Sequence, residues 1–333
     1  MPDRTTRRVT SADVAKMAGV SRATVSYVLN DTPHQTISAG TRGRVLDAAA
    51  SLGYAPSAAA RTLRTGRSDV VLCLLPDWPI GQEVGDLLAN LSTALARHGL
   101  TFVVHPGSRA DRPISEIWKA ITPAAVLAFA DFSEQEIGAM RSAGVALVVA
   151  LFGRTRQSRR ELEVPQQLVG RLQADHLISS GHTRLGYAYP DDARVRIFAD
   201  PRLDGARAAC AAASVEAPLV HIVPLDPVTA ATAVRGWRAA GVTAVCAYND
   251  EVALAVLAGM RRCGMTAPAD LAVVGVDDIP AARLSGPALT TITTDLAAVA
   301  TQLAATLVAA INGHPEPAPA LTDVVQVIHR SST

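Results

Sequence analysis

At 333 residues the chain is long enough for two or three domains around a large buried core. It is 49% hydrophobic, yet its longest apolar runs, such as VALVVALF (145–152), have core-strand length and fall short of the roughly 18 residues that span a bilayer. The net charge of +1 is held unevenly: residues 1–68 carry ten Lys/Arg against four Asp/Glu, while the remainder carries 21 against 26, so a basic head that suits a polyanion precedes an acidic body that does not.

The first predicted elements are a pair of short helices. In VTSADVAKMAGVSRATVSYVLN (9–30), Thr10 with Asp13 three residues on makes a capping-box start for a helix running to Ala18. Gly19 supplies a left-handed corner residue, and Val20 tucks into that corner. Ser21 caps a second helix on which Val25, Val28 and Leu29 share one face and pack inward with Val14 and Val20. The opposite face offers Arg22, Ala23, Ser26, Tyr27 and Asn30. A third helix starts at Ser38, turns Val45, Ala49 and Leu52 inward, and closes at Gly53 ahead of Pro56. This is the helix-turn-helix layout, whose second helix enters the major groove. A small helical bundle without a ligand uses the same layout; the clustered positive charge favours the DNA reading.

SAAARTLRTGRS (57–68) comes next. Ala58 to Leu63 has strong helix formers behind Ser57, but fewer than two turns of helix are marginal in water. With Arg61, Arg64 and Arg67 the stretch is also too basic and too regular for an idle linker.

From residue 70, short apolar runs alternate with amphipathic segments. DVVLCLLPD, LTFVVHP, AAVLAFA and VALVVALF read as strands, with helices over 83–98 and SEQEIGAMRSAG. The pattern repeats with helices over 166–180, 201–213, 227–240 and 251–263 between the strands RLGYAYP, VHIVPL, AVCAYND and LAVVGVDD. Alternation at this spacing builds βαβ units, here two serial doubly wound parallel sheets. The four cysteines (Cys73, Cys210, Cys246 and Cys263) show no CxxC spacing and read as buried free thiols in a reducing cytoplasm.

Four blocks, VTSADVAKMAGVSRATVSYVLN, TRGRVLDAAASLGYAPSAAARTLRTGRS, AVVGVDD and PALTTI, resemble the lactose-repressor/galactose-repressor (LacI/GalR) family of bacterial transcription regulators, and the likeness covers essentially the whole chain. It implies a helix-turn-helix domain (1–56), a hinge helix or linker (57–68) and a bilobed periplasmic-binding-protein-like domain (69–333) that binds an effector and dimerises. Lobe 1 would take about 69–163 and 294–321, and lobe 2 about 164–293 and 322–330. The resemblance further implies a homodimer on a pseudo-palindromic double-stranded DNA operator, a repressor's role, and a place in the cytoplasm with the nucleoid. DNA would be contacted by Thr10, Ser21, Arg22, Ala23, Thr24, Ser26, Tyr27 and Asn30, and by Ala60, Leu63 and Arg64 of a hinge that orders only on operator, with Leu63 wedged into the central base step. Tyr27 stands where many relatives carry arginine, so guanine cannot be read bidentately there; a thymine methyl, a phosphate or packing on the first helix remain as its roles. NDTPHQTIS, before the third helix, is longer than usual.

The resemblance also implies an effector held between the lobes, at the carboxyl ends of the strands. Arg202, in an R-x-x-G with Gly205, Asn249 after AVCAY and Asp277 after AVVGV match effector contacts. Each has a plainer reading: Arg202 as a surface ion pair, Asp277 as a turn residue, and Asp250, beside Asn249, as a helix cap. Pro165 and Gln166 replace an Asp-Asn pair of relatives, Phe129 replaces a polar strand end, and PDWPIGQEV lacks the usual Asn-Pro-Phe-Phe. The expected effector is therefore sugar-like or another metabolite, less hydroxylated or aromatic and stacked on Trp78, or absent altogether. His182 reads as structural.

Two rival classes share the body's architecture. An enzyme would be expected to show G-x-G-x-x-G after the first strand, a Walker loop, G-x-S-x-G or H-E-x-x-H, and none is present. A transporter's solute-binding protein would carry a secretory signal, whereas MPDRTTRRVTSADV has no apolar stretch and belongs to a basic head. No catalytic residue, metal or cofactor is expected.

Overall fold

A computed structural model describes residues 9–29, 35–54, 68–106, 114–129, 132–151, 164–314 and 321–333. The chain divides into two units, Met1–Asp69 and Val70–Thr333. The first holds α1 (Ser11–Ala18), α2 (Arg22–Leu29) and α3 (Ala39–Ser51). At the start of α1 the Asp13 carboxylate accepts from the Thr10 N–H (2.8 Å) and hydroxyl (2.7 Å). Gly19 ends α1 at φ 66°, a conformation that a Cβ would strain, and the Val20 N–H returns to the Ala15 carbonyl (3.0 Å). Ser21 Oγ accepts from the Thr24 N–H (3.0 Å) to start α2, and Ser38 Oγ from the Thr41 N–H (3.2 Å) to start α3. The apolar faces then meet, with Val14, Val25 and Val45 fully buried and Val20, Leu29 and Leu52 packed around them. The corner and its core are those the sequence predicts. Ser38→Ala is expected to lower the stability of this unit by about 1 kcal/mol, read as an earlier loss of helix in urea.

In the second unit, β1 (Val70–Leu75), β2 (Thr101–Pro106), β3 (Ala125–Ala128) and β4 (Leu147–Ala150) form a parallel sheet in the order β2-β1-β3-β4. The central strands β1 and β3 are unbroken apolar runs because helices cover both faces. Leu91 and Leu95 of α4 (Gln82–Ala96) seal one face. Trp118 of α5 (Ile114–Ile121) and Met140 of α6 (Glu134–Ser142) seal the other.

The second sheet has the order β10-β9-β8-β7-β5-β6. Its strands are β5 (Leu185–Pro190), β6 (Leu219–Val223), β7 (Ala244–Ala247), β8 (Ala272–Val276), β9 (Thr290–Thr294) and β10 (Val325–Ile328), with β10 alone antiparallel to its neighbour. Around it lie α7 (Gln166–Ser179), α8 (Arg196–Ala212), α9 (Pro227–Ala239), α10 (Asp250–Arg262) and the short α11 (Pro280–Leu284). After β9, α12 (Leu296–Ile311) sends Leu303 and Leu307 into the first lobe's core against α4, and β10 returns to the second sheet. Cys73, Cys210 and Cys246 are buried free thiols and Cys263 is half-buried. Among the described residues no helix is long and apolar enough to cross a membrane.

One boundary departs from expectation. The sequence suggests Pro201 as the first residue of a helix, but α8 begins at Arg196, after a 3-10 turn over Ala193–Val195. Pro201 then sits in the second turn and forfeits the bond to the Ile197 carbonyl. Two contacts hold the extra turn: the Tyr189 hydroxyl donates to Asp200 (2.6 Å), and the Phe198 ring packs on Trp78.

Candidate DNA-reading helix and effector cleft

In the first unit, packing of Val25 and Val28 turns the other face of α2 outward, so Arg22, Ala23, Ser26 and Tyr27 are exposed and Thr24 half-buried. Tyr27 keeps 37% of its surface open, which places it on the outward strip rather than in the core. Thr10 and Ser21 are the caps of α1 and α2, with side chains already engaged in starting those helices. Asn30 and the hinge positions Ala60, Leu63 and Arg64 lie outside the described residues.

In the second unit a cavity of about 720 Å³ opens between the lobes. All five expected effector residues line it: Trp78, Phe129, Arg202, Asn249 and Asp277. Trp78 follows β1, and its ring meets Phe129 at the end of β3 (5.1 Å between centroids, 60°) and Phe198 of α8 (4.8 Å, 64°). The second contact joins the lobes, as does the Arg194–Asp77 ion pair (3.6 Å).

Arg202 is 7% exposed and held by several partners, which removes its reading as a surface ion pair. Its Nε donates to Gln166 Oε1 (2.8 Å), its Nη1 donates to the Tyr248 carbonyl (2.8 Å), and its guanidinium lies over the Tyr248 ring (5.0 Å). Nη1 is also 3.7 Å from Asp277 Oδ1. Asp277 follows β8 with φ 105°, so it is a turn residue and a cleft residue at once, and its Oδ1 is buried without a hydrogen-bond partner among the described residues. Asn249, rather than Asp250, caps α10: its Oδ1 accepts from the Val252 N–H (3.0 Å). Asp250 is fully buried and accepts from the Thr291 hydroxyl (2.6 Å) and the Ile279 N–H (3.0 Å). His182 shares a 2.9 Å hydrogen bond with Thr243 away from the cleft, in keeping with a structural role.

Sequence reasoning missed Glu83. From the first turn of α4 it faces Asp277 across the cleft. Burial, then the charge of Asp277 and a hydrogen bond to it, push the Glu83 carboxyl well above the carboxylate range, against the pull of Arg202. This arrangement favours the protonated form of Glu83. Phe198 and Tyr248 were also missed; no local motif marks either.

Burial, with the charge of Asp277 adding to it, raises Asp250 to about 7 despite its two donors. Its unfolded value is near 4, so folding favours the protonated form. Stability of this unit is thus expected to be fullest below pH 4 as far as this group is concerned. It should fall by about 1.4 kcal/mol per pH unit as pH rises through the window from 4 to 7. Urea midpoints across that window check it: Asp250→Asn should flatten the slope.

A helix-turn-helix head with an open polar strip, and a two-lobed α/β body closing on a cavity, define the class of DNA-binding regulators with a ligand-sensing domain. The comparisons agree. The family of bacterial regulatory proteins, lacI family, matches residues 10–57, and the periplasmic binding protein-like domain matches 174–333. The regulator CelR of Thermobifida fusca is 30% identical over 92% of this chain and 93% of its own length. The regulator MalR of Streptomyces coelicolor is 29% identical over 97% of this chain and 96% of its own. Among solved structures, the lac repressor dimer bound to operator and the anti-inducer ONPF superposes with a TM-score of 0.75 at 22% identity, over 98% of this chain and 99% of that one. The CelR–cellobiose complex gives 0.64 at 27%, over 98% and 100%. The chain belongs to the lacI family and is a helix-turn-helix transcription regulator.

Proposed function

We propose that two copies of this chain bind a pseudo-palindromic operator as a repressor, and that a small molecule in the cleft sets their affinity for it. The observation that carries the reading is the outward strip of α2 in a chain so similar to known regulators. Arg22, Ala23, Ser26, Tyr27 and Asn30 would meet base edges and Thr10, Ser21 and Thr24 the phosphates, where a helix N-terminus favours anions. Ala60, Leu63 and Arg64 would form paired hinge helices in the minor groove. The solved relatives hold operator and anti-inducer in one case and cellobiose in the other, which supports both sites. Trp78, Phe129, Arg202, Asn249 and Asp277 would contact the effector. Closing the lobes around it would change the spacing of the hinges, a shift between two dimer geometries. The cleft's polar groups serve recognition, not catalysis, and the protein works in the cytoplasm on the nucleoid.

Selection of random duplexes by the full-length protein tests this. Two inverted half-sites should emerge; a single half-site, or no enrichment, would overturn it. On the selected site Leu63→Ala should weaken binding about tenfold, or ~1.4 kcal/mol, at unchanged circular dichroism.

A further inference from the structure

The cleft's polar inventory restricts what it can hold. Both lining arginines are committed. Arg194 makes paired bonds to Asp192 (2.6–3.1 Å) and an ion pair with Asp77, and Arg202 is spent on Gln166, Tyr248 and Asp277. Gln166 has both ends occupied, its Nε2 donating to the Val164 carbonyl (3.1 Å), and the oxygen of Asn249 caps α10. Among the described lining residues, both guanidiniums already hold acceptors, which leaves little of either for a carboxylate or phosphate ligand. The charge left open is negative: Glu83 and Asp277 stand together beside the one guanidinium of Arg202, with Asp191 and Glu251 at the lining and no ion pair to either among the described residues. Trp78, Phe129 and Phe198 form an aromatic wall in the same cavity.

From this arrangement we infer that the cleft takes an organic cation with an aromatic or heteroaromatic body, its ammonium lodged at Glu83 and Asp277 and its ring against Trp78, Phe129 and Phe198. The inference rests on the reading of the cleft as the effector site and names the chemical class of the effector. Two carboxyls facing one guanidinium leave one negative charge uncompensated. Burial and the neighbouring Asp277 favour a proton on Glu83, which removes it. A ligand ammonium does the same while donating to the Asp277 Oδ1 that lacks a partner, and it lies near aromatic faces that attract cations. The Glu83 proton then leaves to solvent. Groups facing Glu83 are Asp277, Asp250 and Arg202. A neutral polyol supplies hydroxyl donors but leaves the proton in place.

Isothermal titration calorimetry on the full-length protein at pH 7 separates the cases, with phenethylamine, its neutral counterpart 2-phenylethanol, and cellobiose as probes. Phenethylamine should bind at least tenfold more tightly than 2-phenylethanol. Heats in phosphate and Tris buffers should show net proton release for the amine and none for the alcohol. Glu83→Gln should erase both differences. Equal binding of amine and alcohol, or no binding of any probe, overturns the inference. Binding of cellobiose with phenethylamine silent overturns it too, yet leaves the effector cleft standing; the operator selection above judges the regulator reading separately.

Discussion

Gly205→Ala is expected to destabilise the second unit by ~3 kcal/mol. A Cβ at Gly205 of α8 would lie 2.0 Å from the Gln167 carbonyl oxygen and 2.9 Å from the Arg171 nitrogen of α7. The contact is reciprocal: a Cβ at Gly170 of α7 would lie 1.7 Å from the Arg202 carbonyl oxygen. The two helices therefore cross backbone on backbone, and the methyl meets main chain that no rotamer change can move. Relief requires the helices to part by about an ångström, at the upper end of what overpacking costs. The Arg202–Gln166 bond (2.8 Å) spans the same crossing, so the shift would also loosen the guanidinium that faces the cleft. Gly138→Ala is the control. It sits exposed on α6 with open space around its Cβ position and should stabilise by about 0.5–1 kcal/mol through helix propensity. Equal urea midpoints for Gly205→Ala and the parent protein would show that the crossing yields.

Elements whose signals are local were legible in the sequence. Thr10, Gly19, Ser21 and Ser38 mark helix ends by short-range chemistry, and each does so in the structure. Buried strands such as β1 and β8 are continuous apolar runs, which only a sheet covered on both faces supports. The misreadings at Pro201, Gly205 and Glu83 share a physical origin in contacts between distant segments. Pro201 looks like a helix start because proline suits that position, yet a ring from the other lobe holds an extra turn before it. α11 has five residues, too few for a periodicity to show. Gly205 stands out in the sequence only through its spacing from Arg202; the cause, the crossing with α7, appears only once the helices are placed. Glu83 had no signal: it is one acid in an amphipathic helix until the cleft brings Asp277 to it. Where relatives carry an Asp-Asn pair, Gln166 looked like a lost polar contact; its amide oxygen instead fixes Arg202.

Arg202→Met should cost the second unit about 3–5 kcal/mol, the range found when one member of a buried ion pair is removed. The size follows from what is left behind. The Arg202 side chain is 9% exposed and that of Asp277 14%, so neither can turn to water for compensation. Methionine would fill much of the guanidinium's volume but leave Gln166 Oε1 and the Tyr248 carbonyl without their donor, and Asp277 without its cation. A double-mutant cycle with Asp277→Asn distinguishes charge from packing. If the unpaired carboxylate dominates, Arg202→Met should cost less when Asp277 is already Asn, with a coupling of 1–3 kcal/mol. An additive cycle would assign the loss to the two orphaned oxygens and to packing on Tyr248. The same variant bears on the effector's charge: without the guanidinium two carboxyls face the cavity uncompensated, so phenethylamine should bind Arg202→Met at least as tightly as the parent protein, provided the unit remains folded at the temperature used. An anionic or neutral effector predicts the reverse, since either would lose the guanidinium that orders this end of the cleft.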